Sequence, residues 1–222
     1  MSDQKHSYKL HYFDIRGRGE PIRLIFEYYG VKYDDNRIPV EDWPSVKENA
    51  PMGQVPYLEV DDGKLSICQT LAICRYLAKS LKASDYFGGA TKSDAAKCDM
   101  YAETFMDFFT IAVERMFEKD PDIKAKKDEK FEKQCPIRLK IFEDHLKKNG
   151  GENFVGKKVL WCDLVAVAVL SMVEETKADL LQDFPDLRNY YRNMRNLPEI
   201  KDYVAQSWPP AATDQPDQTD QD

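Results

Sequence analysis

The chain has 222 residues, 42% of them hydrophobic, and a formal net charge of −7. That length buries a real core in one or two domains. The acidic balance excludes a nucleic-acid partner, since phosphate binding needs clustered Lys and Arg. Taken in order, the chain opens with a β-rich run from Tyr8 to Phe13. The run breaks at Gly17 and Gly19 and restarts at Pro21 as a helix, where a missing N–H costs nothing. Ile22, Ile25, Phe26 and Tyr29 then form an amphipathic stripe. In open α/β sheets small ligands bind at such a strand–loop–helix junction. Tyr12 stands there with a phenol, followed by Arg16 and Arg18 in the loop.

Val31–Pro39 reads as a second strand, and residues 41–50 as a short polar segment carrying Trp43 and Lys47 four apart, on one helical face. Pro51-Met52-Gly53 is a turn, and Gln54–Val60 a third strand. Asp61-Asp62-Gly63-Lys64 signals a hairpin into Leu65–Cys68. Gln69 and Thr70 open a helix with Leu71, Cys74, Leu77 and Ala78 as its stripe. The order β-α-β-α-β-β-α predicts a small mixed sheet covered by helices over residues 1–83. Residues 84–92, with two glycines, are the expected linker. Beyond them residues 93–208 read as all helical. Tyr101, Phe105, Phe108, Phe109, Ala112 and Met116 make an aromatic stripe, with Glu103 and Asp107 on the other side as a solvated face or a subunit contact. Lys124–Lys148 is a charged helix expected to turn Ile137, Ile141 and Phe142 inward. Leu164–Val173 is nearly all apolar and should be central. Two short helices follow, started by Pro185 and Pro198, and residues 209–222 lack any apolar anchor and read as a disordered tail.

Five cysteines, Cys68, Cys74, Cys98, Cys135 and Cys162, include no Cys-x-x-Cys pair. They read as free thiols in a reducing, cytoplasmic compartment. His6, His11 and His145 have no metal-ligand spacing, so no metal is expected. No signal peptide is visible, and the longest apolar run is too short to cross a bilayer, so no membrane partner is expected. A Pro at the head of a strand is confined to special positions. A cis Val55–Pro56 bond there would leave the Val55 backbone groups free for an extended ligand. Gln69 and Thr70, at a helix N-terminus, suit a carboxylate, and helix capping by Thr70 is compatible with that.

Several stretches together resemble the sigma-class cytosolic glutathione transferases, the class of haematopoietic-type prostaglandin D synthases and S-crystallins. They are Tyr8-Lys9-Leu10-x-Tyr12-Phe13, Arg16-Gly17-Arg18-Gly19-Glu20-Pro21-Ile22-Arg23, Asp42-Trp43-Pro44, Met52-Gly53-Gln54-Val55-Pro56, Leu58-Glu59-Val60-Asp61 and Gln69 to Ala78. The resemblance is strong over residues 8–80 and looser beyond. It implies a thioredoxin-like domain followed by an all-helical one. It implies an enzyme that conjugates the glutathione thiolate to hydrophobic electrophiles, with peroxidase or prostaglandin H2 isomerase chemistry as variants. The other reading is a weakly active structural homologue of the S-crystallin type. Glutathione enters as co-substrate, with no metal required.

By that resemblance Tyr12 is catalytic and Arg18 assists it electrostatically. Trp43 and Lys47 resemble contacts to the glycyl carboxylate, Val55 pairs with the cysteinyl unit, and Gln54 flanks it. Gln69 and Thr70 resemble the γ-glutamyl carboxylate site. Asp107 resembles the acid that reaches across a homodimer. The electrophile is expected near Phe13, Arg16, Phe105 and Phe109. One departure stands at Leu160-Trp161-Cys162-Asp163, where the family's capping hydroxyl is replaced by Leu160. That predicts a deficit of about 0.5–2 kcal/mol if nothing compensates.

Overall fold

The computed structural model describes residues 4–81, 87–177 and 179–210. Residues 84–86 of the expected linker and 211–222 of the expected tail lie outside them. The chain divides into two compact units, Met1–Gly88 and Gly89–Asp222.

The first unit runs β1 (Tyr8–Phe13), α1 (Glu20–Tyr29), β2 (Asp34–Ile38), a short α2 (Trp43–Val46), β3 (Tyr57–Val60), β4 (Leu65–Cys68) and α3 (Thr70–Ser80). Its sheet has the order β2-β1-β3-β4. β1 pairs parallel with β2, Tyr12 opposite Arg37, so the connection must cross over, and α1 makes that crossover. β1 and β3 are antiparallel with Leu10 opposite Leu58, and β3 and β4 are antiparallel across the hairpin. Strand alternation puts Tyr8, Leu10 and Tyr12 on one face, and all three are buried. Tyr8 meets Phe26 of α1 at 5.4 Å between ring centroids. α1 ends at Gly30 in the left-handed region (φ 59), and Val31 N–H donates back to the Phe26 carbonyl at 3.0 Å. Phe87 stacks on Tyr28 and meets Tyr29 edge-on, which ties that residue to α1.

Two strands are shorter than the sequence suggests. β2 begins at Asp34, and β3 begins at Tyr57, after Gln54-Val55-Pro56. The segment 41–50 breaks into successive single turns, because Pro39, Pro44 and Pro51 leave no room to propagate a helix.

The second unit holds α4 (Lys92–Glu114), α5 (Pro121–Lys148), α6 (Trp161–Glu174), α7 (Pro185–Arg195) and α8 (Lys201–Ser207). Side chains cap the two long helices. Thr91 Oγ1 accepts from Asp94 N–H at 3.1 Å, and Asp120 Oδ1 accepts from Asp122 and Ile123 N–H at 2.9 and 3.1 Å. α6 is buried along nearly its whole length, as its apolar sequence predicts. The expected inner face of α5 is corrected. Ile137 and Ile141 are exposed, at 61% and 47%, while Phe131, Cys135, Leu139, Phe142 and Leu146 face inward. Those five are spaced four, four, three and four apart, a complete helical stripe that leaves the two isoleucines outside it. Met116 is also exposed, because α4 ends at Glu114. No helix among the described residues is long and apolar enough to cross a membrane.

The missing hydroxyl at Leu160 is compensated. Asp163 N–H donates to the Leu160 carbonyl at 2.9 Å, so the amide that a capping hydroxyl serves is already paired. The Asp163 carboxylate accepts from Leu160 N–H at 2.9 Å, Phe154 N–H at 3.0 Å and the Tyr190 hydroxyl at 3.1 Å. Burial outweighs these donors and pushes the carboxyl from 3.8 up to about 6. The folded chain therefore binds this proton more tightly than the unfolded one. The group's favourable contribution is complete below pH 3.8 and is lost as pH rises to about 6. Asp163→Ala strands two buried amides and a buried hydroxyl, and should cost about 3 kcal/mol in urea unfolding at neutral pH. Asp163→Asn should flatten the fall in stability between pH 4 and 6, measured by urea midpoints across that range.

Candidate active site

The site grows from the end of β1. Tyr12 is 6% exposed, with its ring beneath the loop that follows. The loop passes so close that only glycine fits. A Cβ on Gly17 would lie 2.6 Å from the Tyr12 hydroxyl, and one on Gly19 would lie 2.6 Å from Tyr12 Cδ1. Gly17 also sits at φ +40, in the left-handed region. Between them, Arg18 N–H donates to the Tyr12 oxygen at 2.9 Å. The Thr70 hydroxyl, from the first residue of α3, donates to the Arg18 carbonyl at 2.9 Å. The Arg18 peptide is thus clamped between two side chains distant in sequence.

The Tyr12 oxygen accepts from Arg18 and keeps its own proton to give. Burial pushes this phenol upward, while the Arg18 N–H and the Arg18 and Arg23 guanidiniums pull it back, with the net direction up. It stays protonated at neutral pH and is a donor.

Arg18 of this loop lines a cavity of about 580 Å³. Arg18, Trp43, Lys47, Gln54, Val55, Gln69 and Thr70, all named from the sequence, line it together with Phe13. Trp43 is half-buried and meets Phe13 edge-on at 5.6 Å. The Val55–Pro56 peptide is cis. Gln69 takes the cap position of α3 with φ 73, and its Nε2 donates to Gln54 Oε1 at 3.2 Å. Thr70 spends its hydroxyl proton on Arg18 instead of capping the helix, so a carboxylate at this end would meet the α3 amides. Lys47 and Arg18 are the lining cations, and none of the lining residues is acidic. Among the described residues no group of His, Cys, Asp and Glu is arranged to hold a metal ion, and all five cysteines are free.

The family profile for the glutathione S-transferase N-terminal domain matches residues 8–79, and that for the C-terminal domain matches residues 106–207. The chain belongs to the glutathione S-transferase family. It is 40% identical over 207 residues to glutathione S-transferase 1 of Ascaris suum, covering 90% of this chain and 96% of that protein. It is 35% identical to the mouse (Mus musculus) haematopoietic prostaglandin D synthase, covering 89% and 95%. The solved structure of prostaglandin synthase D of Nilaparvata lugens superposes with a TM-score of 0.82 at 34% identity, over 92% of this chain and 100% of that one. The transferase is therefore an enzyme of the sigma-like branch of the family, with glutathione as co-substrate.

Five site residues named from the sequence are not among the lining residues: Tyr12, whose oxygen is reached through Arg18 N–H, and Arg16, Phe105, Asp107 and Phe109. Arg16 is half-buried in the β1–α1 loop and is absent from the cavity lining. Asp107 is exposed on α4, in the second unit, as is Glu103. Phe105 and Phe109 are buried, at 0% and 4% exposure, and Phe105 stacks on Phe142 at 3.9 Å. Within the second unit both rings take part in its core. Sequence reasoning also missed Arg23, fully buried on α1. Its one signal was the i,i+3 spacing to Glu20, the partner of its ion pair. Gly19→Ala should force the Tyr12 ring aside and cost about 1–3 kcal/mol of stability by urea unfolding. Gly17→Ala adds backbone strain at φ +40 and should cost at least as much.

Proposed function

We propose that the transferase activates glutathione through the Tyr12 hydroxyl and conjugates it to hydrophobic electrophiles. A free thiol with a pKa of about 8.5 is mostly protonated at neutral pH, while the nucleophile is the thiolate. Tyr12 donates a hydrogen bond to the sulfur, and Arg18 adds positive charge nearby. Lowering the thiol by about two pKa units takes about 2.7 kcal/mol of preference for the thiolate. A charge-assisted hydrogen bond with a cation beside it is of that size. The sulfur then attacks the electrophilic carbon, the leaving group departs with its electron pair, and the thiol proton goes to solvent. The observation that carries this reading is the phenol held by Arg18 N–H at 2.9 Å, where Arg18 itself lines a cavity with two cations and no acid.

The rest of the tripeptide is assigned by chemistry. Trp43 and Lys47 take the glycyl carboxylate, the Val55 backbone pairs with the cysteinyl unit, and Gln54 flanks it. Gln69 and the α3 amides beginning at Thr70 take the γ-glutamyl carboxylate. Asp107 of the partner subunit takes the γ-glutamyl ammonium in a homodimer. Phe13 and Arg16 border the electrophile. Free thiols in all five cysteines support a reducing cytoplasmic setting. The complete constellation disfavours a non-catalytic structural role, and the prostaglandin D synthases among the relatives put prostaglandin H2 on the substrate panel.

Tyr12→Phe should lower kcat/KM for a chloronitrobenzene about a hundredfold while leaving glutathione binding within a few-fold. Turnover that survives this change removes Tyr12 from the chemistry. Asp107→Ala should weaken glutathione binding by about 1–3 kcal/mol, read by calorimetry. A protein that sediments as a monomer at micromolar concentration with full activity rules out the cross-subunit contact.

A further inference from the structure

The loop that carries Arg18 is itself held from below by a second arginine. Arg23, on α1, is 0% exposed, and so is Glu20 beside it. Its Nη1 donates to the Ile15 carbonyl at 2.8 Å and reaches the Arg16 carbonyl at 3.5 Å. Its Nη2 reaches the Phe13 carbonyl at 3.5 Å. Its Nε donates to both oxygens of Asp35, at 3.1 and 3.3 Å, and Nη1 meets Glu20 Oε2 at 3.2 Å. Asp35 in turn accepts from Arg37, which pairs with Asp14. The guanidinium carbon lies 5.9 Å from the centre of the Tyr12 ring.

A buried cation costs several kcal/mol of lost hydration and persists only where its donors are used. Here they are divided between the carboxylates of Glu20 and Asp35 and the carbonyls of peptide units that connect Tyr12 to Arg18. The Arg16 carbonyl it touches also accepts from Gly19 and Glu20 N–H, at 3.1 and 3.0 Å. The position of the Arg18 N–H above the Tyr12 oxygen therefore depends on carbonyls that Arg23 holds. A planar fork of donors can hold several carbonyls and a carboxylate at once, and an ammonium cannot reproduce that geometry.

We propose that Arg23 is a positioning residue for thiol activation: by fixing the carbonyls of Phe13, Ile15 and Arg16 it sets the Arg18 N–H against the Tyr12 oxygen, and through Tyr12 it governs how strongly the bound sulfur is held as thiolate. This rests on the role given to Tyr12 above. Its charge, close to the Tyr12 ring, acts in the same direction. Arg23 touches neither glutathione nor electrophile, so its effect must pass through Tyr12.

The test titrates the thiol of glutathione bound to the full-length protein, by its ultraviolet thiolate absorbance, in wild type, Arg23→Lys, Arg23→Gln and Tyr12→Phe. Arg23→Gln should raise the bound-thiol pKa by about one unit and lower kcat/KM about tenfold near neutral pH. Most of that loss should return at alkaline pH, and glutathione affinity should stay within about threefold. Arg23→Lys keeps the charge and loses the fork, and should fall between the two. It carries the test if Arg23→Gln fails to fold. In a Tyr12→Phe background either Arg23 change should add less than about twofold. A bound-thiol pKa equal to wild type in the folded Arg23 variants, with only the melting temperature lowered, overturns the proposal. So does a full additional loss in the Tyr12→Phe background. A wild-type protein whose bound thiol titrates like free glutathione, or is unmoved by Tyr12→Phe, instead defeats the Tyr12 assignment itself, before any Arg23 variant is read.

Discussion

The first unit is organised around one peptide group, that of Arg18. Its N–H is given to Tyr12 and its carbonyl takes the proton of Thr70. The end of β1, the loop after it and the start of α3 are thereby fixed to a common point, although some fifty residues of chain separate them. A hydrogen bond of this kind contributes only about 1 kcal/mol to stability. Its value is geometric, because the orientation of the phenolic proton follows from which lone pair the amide occupies. Gly17 and Gly19 are part of the same constraint, since any side chain there would occupy the volume of the Tyr12 ring.

Electrostatics operates on two scales. The chain as a whole carries −7, which repels an anionic peptide at long range. The cavity lining is cationic. At physiological salt the screening length is about 8 Å, so an approaching ligand feels the net charge weakly and the lining residues strongly once it arrives. In the proposed binding mode, capture is therefore a short-range property of Arg18, Lys47 and the α3 amides. The long-range field of the molecule does little for it.

Much of the first unit was legible in the sequence because local chemistry and global fold agree there. The change from period two to period 3.6 across Gly17–Gly19, the Asp-Asp-Gly hairpin and the Gly30 stop each act within a few residues. The cavity residues Trp43, Lys47, Gln54, Val55 and Gln69 were brought together through their family motifs, since spacing alone does not join three separate segments. What failed shares a physical cause. On α5, charged residues are so frequent that two apolar stripes compete, and only tertiary packing chooses between Leu139 and Ile137. Arg23 follows an apolar position on an amphipathic helix, and its burial depends on carbonyls that only the folded loop supplies.

α6 is enclosed almost completely, and both α4 and α7 pack against it. It lies late in the chain, after the two long helices whose aromatic faces help make up the same core. Synthesis proceeds from the N-terminus, so α4 and α5 leave the ribosome with Phe105, Phe108, Phe131 and Phe142 lacking the helix that completes their core. Until residues beyond Trp161 emerge, those rings have only one another to pack against, and the face that α6 covers is open to water or to other nascent chains. The core of the helical unit is thus completed only by a late segment, and the interval before it arrives is when a holding chaperone has something to protect.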